Sequence, residues 1–440
     1  MIVLRPHQER AINDVRAAFR RVKRVCLVMP TGAGKTATAS TLIAWAVGRG
    51  RRVLFLVHRR EIVADTHRRL VAAGVDCGLV MAGAPASPLL KVQVASVQTI
   101  AARGERPAAD LLVWDECHHV AATTYREIAA KYPNTWHLGL TATPERSDGQ
   151  GLRDAFDEMV VGATVAELQT AVDPSTGFPY LAGLDVIAPP GKQDSGALAE
   201  EPVAAWRKHG APRATVAFCR SVAESRALAA RFEAEGIAAR HVDGEMPVAT
   251  RVAALDAFAR GDVTVLTNVF VLTEGWDCPR AKVVLLARGC GSAATFLQMV
   301  GRGLRAFNGE RCTLIDLGGV VHEHGMPDEE RDYTLDGIRR RPKKKRPWLR
   351  QCSSCGFVVL GVKSGRRCSR CDAAWPQQAP SEVSKVGVVR VTKLQLPSRA
   401  ELRATYEELL READERGYRP GWAGYKFKDK FGFWPRGFAT

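Results

Sequence analysis

The fold class of this chain is set by residues 25–36, which read Val25-Cys26-Leu27-Val28-Met29-Pro30-Thr31-Gly32-Ala33-Gly34-Lys35-Thr36. The apolar run Val25–Met29 predicts a buried β-strand, and a helical pattern covers Thr36–Val47. The small residues between them let backbone N–H groups close around phosphate oxygens. The dipole at the amino-terminus of the following helix also favours a bound phosphate. Residues 25–36 therefore predict the phosphate-binding loop of an α/β protein.

Individual residues of this loop suit a bound nucleoside triphosphate. Lys35 would reach the β- and γ-phosphates, and the Thr36 hydroxyl would coordinate Mg²⁺. Met29 occupies the place of the first glycine in G-x-x-x-x-G-K-[ST], so the loop departs from the full pattern there. An ordinary glycine-rich turn is the alternative, but the order strand, loop, helix favours phosphate binding. The candidate ATP-binding residues of the loop are Thr31, Gly32, Ala33, Gly34, Lys35 and Thr36.

Two acidic residues follow the apolar run Leu111–Trp114, in the stretch Asp115-Glu116-Cys117-His118-His119. At a strand end Asp115 can hold Mg²⁺ opposite Thr36, and Glu116 can orient and deprotonate an attacking water. Another kind of metal site, or a solvated turn, would use the same residue types. The position directly after a hydrophobic strand favours phosphoryl transfer.

Short apolar runs alternate with amphipathic segments from about residue 1 to residue 320, which predicts βαβ units with parallel sheets. The capping box Ser221-Val222-Ala223-Glu224 opens one of the helices, which is predicted to end at Gly236. The predicted strands are Val25–Met29, Val53–Val57, Leu111–Trp114, Leu138–Leu140, Thr215–Cys219, Val263–Thr267, Val283–Leu286 and Thr313–Ile315.

Changes in composition divide the chain into six segments. The alternation of apolar and amphipathic segments stops at Asp173–Ser195, a stretch rich in Pro, Gly, Ser and Asp that predicts a linker. We predict an α/β domain at 1–172, a linker at 173–195, a second α/β domain at 196–325, a basic linker at 326–350, a four-cysteine module at 351–376 and a small nucleic-acid-binding element at 377–440.

The charge of the chain points to a polyanionic partner. Lys and Arg number 63 against 47 Asp and Glu, a net charge of +16, although a generally basic soluble surface would give the same total. The run from Arg339 to Arg350 holds eight basic residues, and Lys363, Arg366, Arg367 and Arg370 follow, with no Asp or Glu up to Cys371. This local basicity predicts phosphate contacts, with a flexible basic linker as the alternative.

Four of the 11 cysteines have the spacing of metal ligands, in Cys352-x₂-Cys355-x₁₂-Cys368-x₂-Cys371. Two such pairs give four thiolates for tetrahedral Zn²⁺, as in a zinc ribbon. A closed set of four leaves no open position, so the predicted site is structural. A redox pair or an iron–sulfur cluster would use the same residues.

Aromatic and cationic residues alternate near the carboxyl-terminus, in Tyr425-Lys426-Phe427-Lys428 and onward through Trp434 to Arg436. Such rings, and Trp422 before them, can stack on unpaired bases while lysines hold the backbone. The core of a small domain explains the aromatic residues equally well, and we prefer that explanation.

The motifs of the first domain resemble those of superfamily 2 helicases. Arg5-Pro6-His7-Gln8 resembles the Q motif, whose Gln reads adenine, and Asp115–His119 is a DEAH-like box with Cys in the third place. Leu140-Thr141-Ala142-Thr143-Pro144 is similar to motif III, which couples nucleotide state to domain movement. The other matches are Pro30–Thr36 to motif I, Phe55–Glu61 to motif Ia and Val94–Thr99 to motif Ib.

The second domain carries the remaining motifs in the same order. Val216–Arg220 resembles motif IV, Thr267–Asp277 resembles motif V, and Gln298–Arg305 is a full motif VI. By this resemblance Gln298, Arg302 and Arg305 face the γ-phosphate from a second RecA-like P-loop domain, as arginine fingers do. The resemblance also implies ATP-site roles for Arg5, Gln8, Gly275 and Asp277, and coupling roles for His118, Thr141 and Thr143.

Within the superfamily the chain looks most similar to the RadD-like group of bacterial and phage DNA helicases. Shorter segments carry this resemblance: Leu56–Glu61, the run Ile315–His322 after motif VI, and the four cysteines behind a basic stretch.

The resemblance implies an ATP-dependent DNA helicase acting in repair, recombination or replication, with ATP, Mg²⁺ and Zn²⁺ as ligands. Its substrate would be single-stranded or forked DNA, and DNA-repair or single-strand-binding proteins are possible partners. A duplex translocase or restriction-type motor, an ATP-switched nucleic-acid-binding protein and an RNA helicase remain alternatives. Since no secretory segment and no run of about 18 apolar residues occurs, we expect a cytoplasmic, nucleoid-associated protein without a membrane span.

Overall fold

The chain is described by a computed structural model, which covers residues 3–58, 63–81, 87–102, 106–119, 122–144, 146, 151–189, 198–273, 275–336, 349–360, 367–375, 399–416, 418, 421–431 and 435. It divides into two compact units. The first comprises Met1–Ala182 and Asp328–Arg346, and the second comprises Gly183–Pro327 and Pro347–Thr440.

The first unit is built on a seven-stranded sheet with the order β3-β4-β2-β5-β6-β1-β7, in which every described neighbouring pair is parallel. Its strands are β1 (Arg24–Val28), β2 (Val53–Val57), β3 (Cys77–Val80), β4 (Val92–Ser96), β5 (Leu111–Trp114), β6 (Trp136–Thr141) and β7 (Glu158–Val161). Its helices are α1 (Pro6–Ala18), α2 (Lys35–Gly48), α3 (Val63–Ala72), α4 (Val97–Ala102), α5 (Ala122–Ala130) and α6 (Val165–Thr170), with a 3₁₀ turn at Cys117–His119.

The second unit has an eight-stranded sheet with the order β10-β11-β9-β12-β13-β8-β15-β14. It is parallel from β10 to β8, and the last two strands join antiparallel. The strands are β8 (Leu184–Ile187), β9 (Thr215–Cys219), β10 (Ala239–His241), β11 (Val265–Asn268), β12 (Val283–Ala287), β13 (Cys312–Asp316), β14 (Leu349–Gln351) and β15 (Phe357–Leu360). The helices are α7 (Pro202–His209), α8 (Val222–Ala234), α9 (Val248–Arg260), α10 (Ala293–Val300), α11 (Val320–His324), α12 (Arg399–Glu415) and α13 (Trp422–Phe431).

The α/β class with parallel sheets is confirmed, and so are the strands predicted from continuous apolar runs. All five residues of β2, β9 and β12 are buried, as expected where helices cover both faces of a parallel sheet. The capping box also forms: the Ser221 hydroxyl accepts the backbone N–H of Glu224 at 3.2 Å at the start of α8.

The structure differs from the prediction of a linker at 173–195. Residues 172–179 form a turn closed by a bridge between Val172 and Pro179, and Leu184–Ile187 is β8, a strand inside the second sheet. Residues 190–195 lie outside the described residues. The domain division also shifts, because the first unit reaches residue 182.

The segment 326–350 is likewise more than a basic linker. Leu335 lies in the core of the first unit with Trp114, Tyr125 and Phe156, and its carbonyl accepts the backbone N–H groups of Leu152 and Arg153. The basic residues 339–348 lie outside the described residues. After them, β14 and β15 extend the second sheet, so the four-cysteine module is not a separate body.

Candidate active site

The sheet topology of the first unit gathers the predicted site residues at one edge. Four neighbouring strands, in the order β2, β5, β6 and β1, run parallel, so their carboxyl ends lie together. His58 follows β2, Asp115 follows β5, Thr141 ends β6, and the loop before Lys35 follows β1. Ligands of open parallel α/β sheets bind at this edge.

The phosphate-binding loop depends on two glycines with left-handed backbone. Gly32 has φ 89° and Gly34, at the amino-terminal cap of α2, has φ 86°. A Cβ atom on Gly34 would lie 2.1 Å from Nε2 of Gln8, so the loop and the amino-terminal helix leave no space for a side chain. Lys35 is the first residue of α2, and Thr36 behind it is exposed.

Lys35 joins the two halves of the predicted site. Its Nζ donates to the Met29 carbonyl at 3.2 Å and lies 3.8 Å from Oε1 of Glu116. Each of these two side chains is only 14% exposed. Shielding from water strengthens a charge pair of this kind, and it holds the carboxylate beside the place where the phosphates would lie.

Glu116 has a backbone conformation that non-glycine residues rarely adopt. Its φ is 45°, which is left-handed and costs on the order of 1–3 kcal/mol for such a residue. The backbone N–H of Glu116 donates to Oδ1 of Asp115 at 3.1 Å. Strain of this kind occurs where a side chain must be aimed, and here it aims the predicted catalytic carboxylate toward Lys35.

The predicted coupling residues form one buried hydrogen-bond network. Thr141 Oγ1 donates to the Thr143 carbonyl at 2.7 Å and accepts the Thr143 N–H at 3.0 Å. Because its single proton is used, the 2.8 Å contact with His118 requires that Nδ1–H of His118 is the donor. His118 Nδ1 also lies 3.5 Å from Oε2 of Glu116, so motif III connects to the predicted catalytic carboxylate.

Sequence reasoning missed a further connection along this edge. The ring of His119 lies 4.0 Å from that of His118 and is stacked at 4.5 Å on that of His58. Gln98 donates its amide to the His58 carbonyl at 2.6 Å. His58 and Gln98 were singled out only within motifs Ia and Ib, and their helicase-like spacing carries no signal of this contact. Arg59–Glu61 of motif Ia lie outside the described residues.

Gln8, the predicted adenine reader, is bound to the phosphate loop in this structure. Its Nε2 donates to the Ala33 carbonyl at 3.2 Å, its Oε1 accepts the N–H of Arg5 at 2.9 Å, and its side chain is buried. His7 Nε2 donates to the same Ala33 carbonyl at 3.0 Å, and burial lowers the pKa of His7 below its ordinary value. The bonds of Gln8 use one of the two N–H groups and one of the two lone pairs of its amide, so a donor and an acceptor remain for the predicted contact with adenine.

Arg5 contacts residues that were assigned to the linker. Its guanidinium lies 4.9 Å from the ring centroid of Tyr180 and 3.7 Å from Oδ2 of Asp173. Tyr180 also meets the His7 ring edge-on at 5.0 Å. A buried tyrosine beside the Q motif was not predicted, because the composition around it resembles that of a loop.

Cysteine in the third place of the DEAH-like box is a packing residue. Cys117 is buried with its Sγ 3.9 Å from that of Cys26 on β1, and burial raises the pKa of its thiol. A Cβ atom on Gly139 would lie 2.9 Å from this sulfur. The Phe156 ring and this thiol together occupy the space that the glycine of β6 leaves open, and burial keeps the thiol neutral.

In the second unit, motifs V and VI contact each other. Arg302 donates to the Trp276 carbonyl, and Arg305 forms an ion pair with Asp277. Gly275 before them has φ 71°, and Gln298 is buried in α10. Glu274 lies outside the described residues. The second unit therefore brings the predicted residues of motif V and motif VI into contact with each other.

The four cysteines of the appended module form one cluster. Their sulfur atoms all lie within 4.8 Å of one another, with Cys352 and Cys371 at 3.6 Å and Cys355 and Cys368 at 3.8 Å. Tetrahedral Zn²⁺ with bonds of about 2.3 Å places its sulfur ligands about 3.8 Å apart. Trp375 packs against the cluster. The set therefore fits zinc in spacing and in ligand type.

The first unit also offers the ligand type that Mg²⁺ prefers. Mg²⁺ takes oxygen ligands together with substrate phosphates. The Thr36 hydroxyl at the start of α2 and the Asp115 carboxylate at the end of β5 supply such oxygens at one edge of the sheet. The residues present thus fit a nucleotide-bound magnesium ion.

Comparison with known proteins agrees with this arrangement. The family described as type III restriction enzyme, res subunit, matches residues 1–146, and the helicase conserved C-terminal domain matches residues 199–307. A 51.5 kDa protein of a Lactococcus phage is 31% identical over 361 residues, which are 78% of this chain and 76% of that protein. A Schizosaccharomyces pombe protein, provisionally named a mitochondrial ATP-dependent helicase, is 31% identical over 347 residues, or 71% of this chain.

The chain spans 57% of the length of that yeast relative. Among solved structures, a type ISP restriction-modification enzyme bound to DNA shares the fold with a TM-score of 0.54 and 20% identity, over 72% of this chain and 28% of the enzyme. Fold and site together define an ATP-hydrolysing enzyme of the P-loop class. The chain belongs to the superfamily 2 helicases.

The closer resemblance to the RadD-like group stays a prediction. Of the helices in the described part of the chain, none has the length and apolarity needed to cross a membrane.

Proposed function

We propose that the chain is an ATP-dependent DNA helicase that couples ATP hydrolysis to movement along single-stranded or forked DNA. The observation that carries this proposal is the link from Lys35 through Glu116 and His118 to Thr141. It joins the phosphate-binding loop, the predicted catalytic carboxylate and the coupling motif in one unit, as a motor requires.

In this proposal, Thr31–Thr36 wrap the triphosphate, and Lys35 exchanges its contact with Glu116 for the β- and γ-phosphates. Glu116 is then released to orient and deprotonate the attacking water. Thr36 and Asp115 would hold Mg²⁺, which, when bound, offsets negative charge on the phosphate oxygens. His118, Thr141 and Thr143 would pass the change at Glu116 on to the strand-binding motifs.

The family resemblance implies that residues of the second unit take part in ATP hydrolysis. Gln298, Arg302 and Arg305 would stabilise charge on the γ-phosphate during hydrolysis, and Gly275 and Asp277 would position them. The ion pair between Arg305 and Asp277 supports this assignment, since it orients the guanidinium.

DNA as the substrate is supported by the family, by the net charge of +16 and by a DNA-bound enzyme of the same fold. Zn²⁺ held by Cys352, Cys355, Cys368 and Cys371 would stabilise the edge of the second sheet. The yeast relative extends well beyond the matched region. We therefore include in the proposal that this chain separates strands without the additional segments of that relative.

The test is ATP hydrolysis and strand separation, measured with single-stranded DNA, duplex DNA, forked DNA and RNA. We expect hydrolysis stimulated by single-stranded DNA, together with opening of the fork. Glu116→Gln should lower kcat by about 10²–10⁴ while ATP still binds, and Arg305→Ala should lower it by about 10³ or more. Equal hydrolysis with and without every nucleic acid would contradict the proposal.

A second function is favoured by the family match over residues 1–146, which is to a restriction-enzyme subunit. Such a motor would move on duplex DNA without separating the strands. Hydrolysis stimulated by duplex and no opening of the fork would identify it. Stronger stimulation by RNA would assign the chain as an RNA helicase, and binding without turnover would indicate an ATP-dependent switch.

A further inference from the structure

A basic and aromatic groove lies at the carboxyl ends of three neighbouring strands in the second unit. Arg220 follows β9, Phe270 lies two residues after β11, and Arg288 follows β12. These strands are adjacent in the order β11-β9-β12, so the three side chains line one wall, together with Val269. The groove has a volume of about 590 Å³, within the range of ligand-binding sites.

The other wall belongs to the carboxyl-terminal helix α13. Trp422, Tyr425, Lys426 and Lys428 line it. On the opposite face of α13, Phe427 is fully buried against Leu402 and Tyr406 of α12. The aromatic residues near the carboxyl-terminus therefore divide by function: Phe427 forms the core of the helix pair, while Trp422 and Tyr425 face the groove. Phe433, Trp434 and Arg436 lie outside the described residues.

The charges and rings of the groove suit a single-stranded nucleic acid, with its phosphates and unpaired bases. Its four cationic side chains are accompanied by no carboxylate among the described lining residues. Two acids lie nearby, since Arg220 pairs with Glu224, and Lys426 lies 3.4 Å from Glu245. Arg288 is stacked on Phe270 at 4.3 Å. Rings alternating with cations are the pattern of single-strand-binding surfaces.

Tyr425 is the most informative residue of the groove. Its side chain is 67% exposed, although a tyrosine would bury its ring if only the helix core were at stake. Trp422, one turn away, contacts the Tyr418 ring, with the centroids 4.5 Å apart and the planes tilted by 31°. A flat, exposed ring beside Lys428 offers a face to a base and a charge to the adjoining phosphate.

We propose that this groove binds single-stranded nucleic acid, with unpaired bases stacked on Tyr425 and Trp422 and phosphates held by Arg220 and Lys428. The proposal rests on the proposed function and adds a strand-binding site built partly by α13. A duplex buries its base faces in the stack and offers only phosphates, so the rings select for the single strand.

The test measures binding of fluorescein-labelled oligo-dT to the full chain by fluorescence anisotropy. Tyr425→Ala should weaken binding about 5- to 150-fold, the range for loss of one stacked base. Tyr425→Phe keeps the ring and should bind like the wild type. Phe178→Ala removes another exposed ring, 41% exposed in the first unit, and should leave binding unchanged.

The salt dependence separates stacking from charge. Lys428→Ala should reduce the slope of log K against log salt concentration by about 0.7, the value for one phosphate contact on a single strand. Tyr425→Ala should lower affinity with the slope unchanged. A matching oligo-U probe should respond to the same substitutions if the groove accepts RNA as well as DNA.

Two results would distinguish the possible failures. If oligo-dT stimulates ATP hydrolysis but Tyr425→Ala and Lys428→Ala both bind it like the wild type, the groove proposal is overturned and the proposed function stands. If no nucleic acid binds or stimulates the wild type, both fail. A Tyr425→Ala defect that is equally large for blunt duplex would also overturn the selection for single strands.

Discussion

Gly34 of the phosphate loop lies against Gln8 of the amino-terminal helix. The glycine has φ 86°, and a Cβ atom there would lie 2.1 Å from the Gln8 amide. Because Gln8 also bonds the Ala33 carbonyl, its position depends on the shape of the loop. The predicted binding of nucleotide at the loop and the predicted adenine recognition by Gln8 are therefore linked through these contacts.

We expect Gly34→Ala to lower ATP affinity tenfold or more, because the new methyl group must displace either Gln8 or the loop. Gly50→Ala is the matched control: its φ is 77°, and its Cβ would meet none of the described atoms within 4 Å. Both substitutions carry the strain of a left-handed alanine, about 1–2 kcal/mol. Titration with a fluorescent ATP analogue should show a loss only for Gly34→Ala, and equal affinities would refute the role of the contact.

His137 on β6 makes the stability of the first unit depend on pH. It is buried, with Nδ1 2.8 Å from the Tyr125 hydroxyl, which itself donates to the Ala155 carbonyl. Burial lowers the pKa of His137 to about 4. The unfolded chain binds this proton below about pH 6.5 and the folded chain only below about pH 4, so stability falls as pH falls through that window.

From this residue we expect a loss of about 2 kcal/mol in the free energy of unfolding between pH 7.5 and pH 5. Urea unfolding followed by tryptophan fluorescence at the two pH values measures it. His137→Asn should be less stable at pH 7.5 and should lack this part of the pH dependence. A variant with the full wild-type dependence would show that another group is responsible, such as His209, whose pKa burial also lowers to about 4.

At the scale of elements, local chemistry was predictable and long-range pairing was not. Continuous apolar runs such as Val53–Val57 predict a buried strand from local sequence alone. The phosphate-binding loop before Lys35 is likewise predicted without knowledge of distant contacts. β8 is different: Leu184–Ile187 is four residues long, has Asp185 in its middle, and follows a stretch rich in turn residues. It is a strand because β13 and β15 pair with it, which composition cannot reveal.

The site shows the same division. Asp115 and Glu116 were predicted to share the site of Lys35 and Thr36 because they directly follow a hydrophobic strand, and β1 and β5 do end at one edge of the same parallel sheet. The contact of His58 with His119 was not predicted, since ring stacking between two loops depends on side-chain orientation that no motif spacing records. The left-handed backbone of Glu116 was equally hidden from the sequence.

The strand pair β14 and β15 joins the four-cysteine cluster to the second sheet. Phe357 and Val358 of β15 pair with β8, and Cys352 and Cys355 lie in the turn between the two strands. We expect the purified chain to contain one Zn²⁺, measured by mass spectrometry of the metal. Cys368→Ser should lose the metal and make β15 more accessible to proteases, because three ligands bind zinc less tightly than four.

Cys77→Ser is the control for this experiment. Cys77 is a cysteine of the first unit whose Sγ contacts the His67 carbonyl, and it is not one of the four clustered cysteines. It should retain zinc and resist proteolysis like the wild type. Wild-type protein without zinc, or Cys368→Ser with a full zinc content, would contradict the assignment.

At the scale of the whole molecule, the first unit is discontinuous. The segment Asp328–Arg346 returns to it after the first stretch of the second unit, Gly183–Pro327. Leu335 is 4% exposed in the core beside Trp114 and Phe156, and Asp336 pairs with Arg153. The core around the DEAH-like box is thus completed by a segment about 150 residues beyond the end of the first stretch.

We expect Leu335→Ala to destabilise the first unit by about 2–5 kcal/mol, the cost of truncating a buried leucine. ATP stabilises the unit that binds it, so the thermal transition that ATP raises belongs to the first unit. That midpoint should fall for Leu335→Ala and hardly move for Leu410→Ala, whose side chain on α12 is 43% exposed. If both variants shift it equally, the segment after residue 328 contributes no core, and the first unit ends near residue 182.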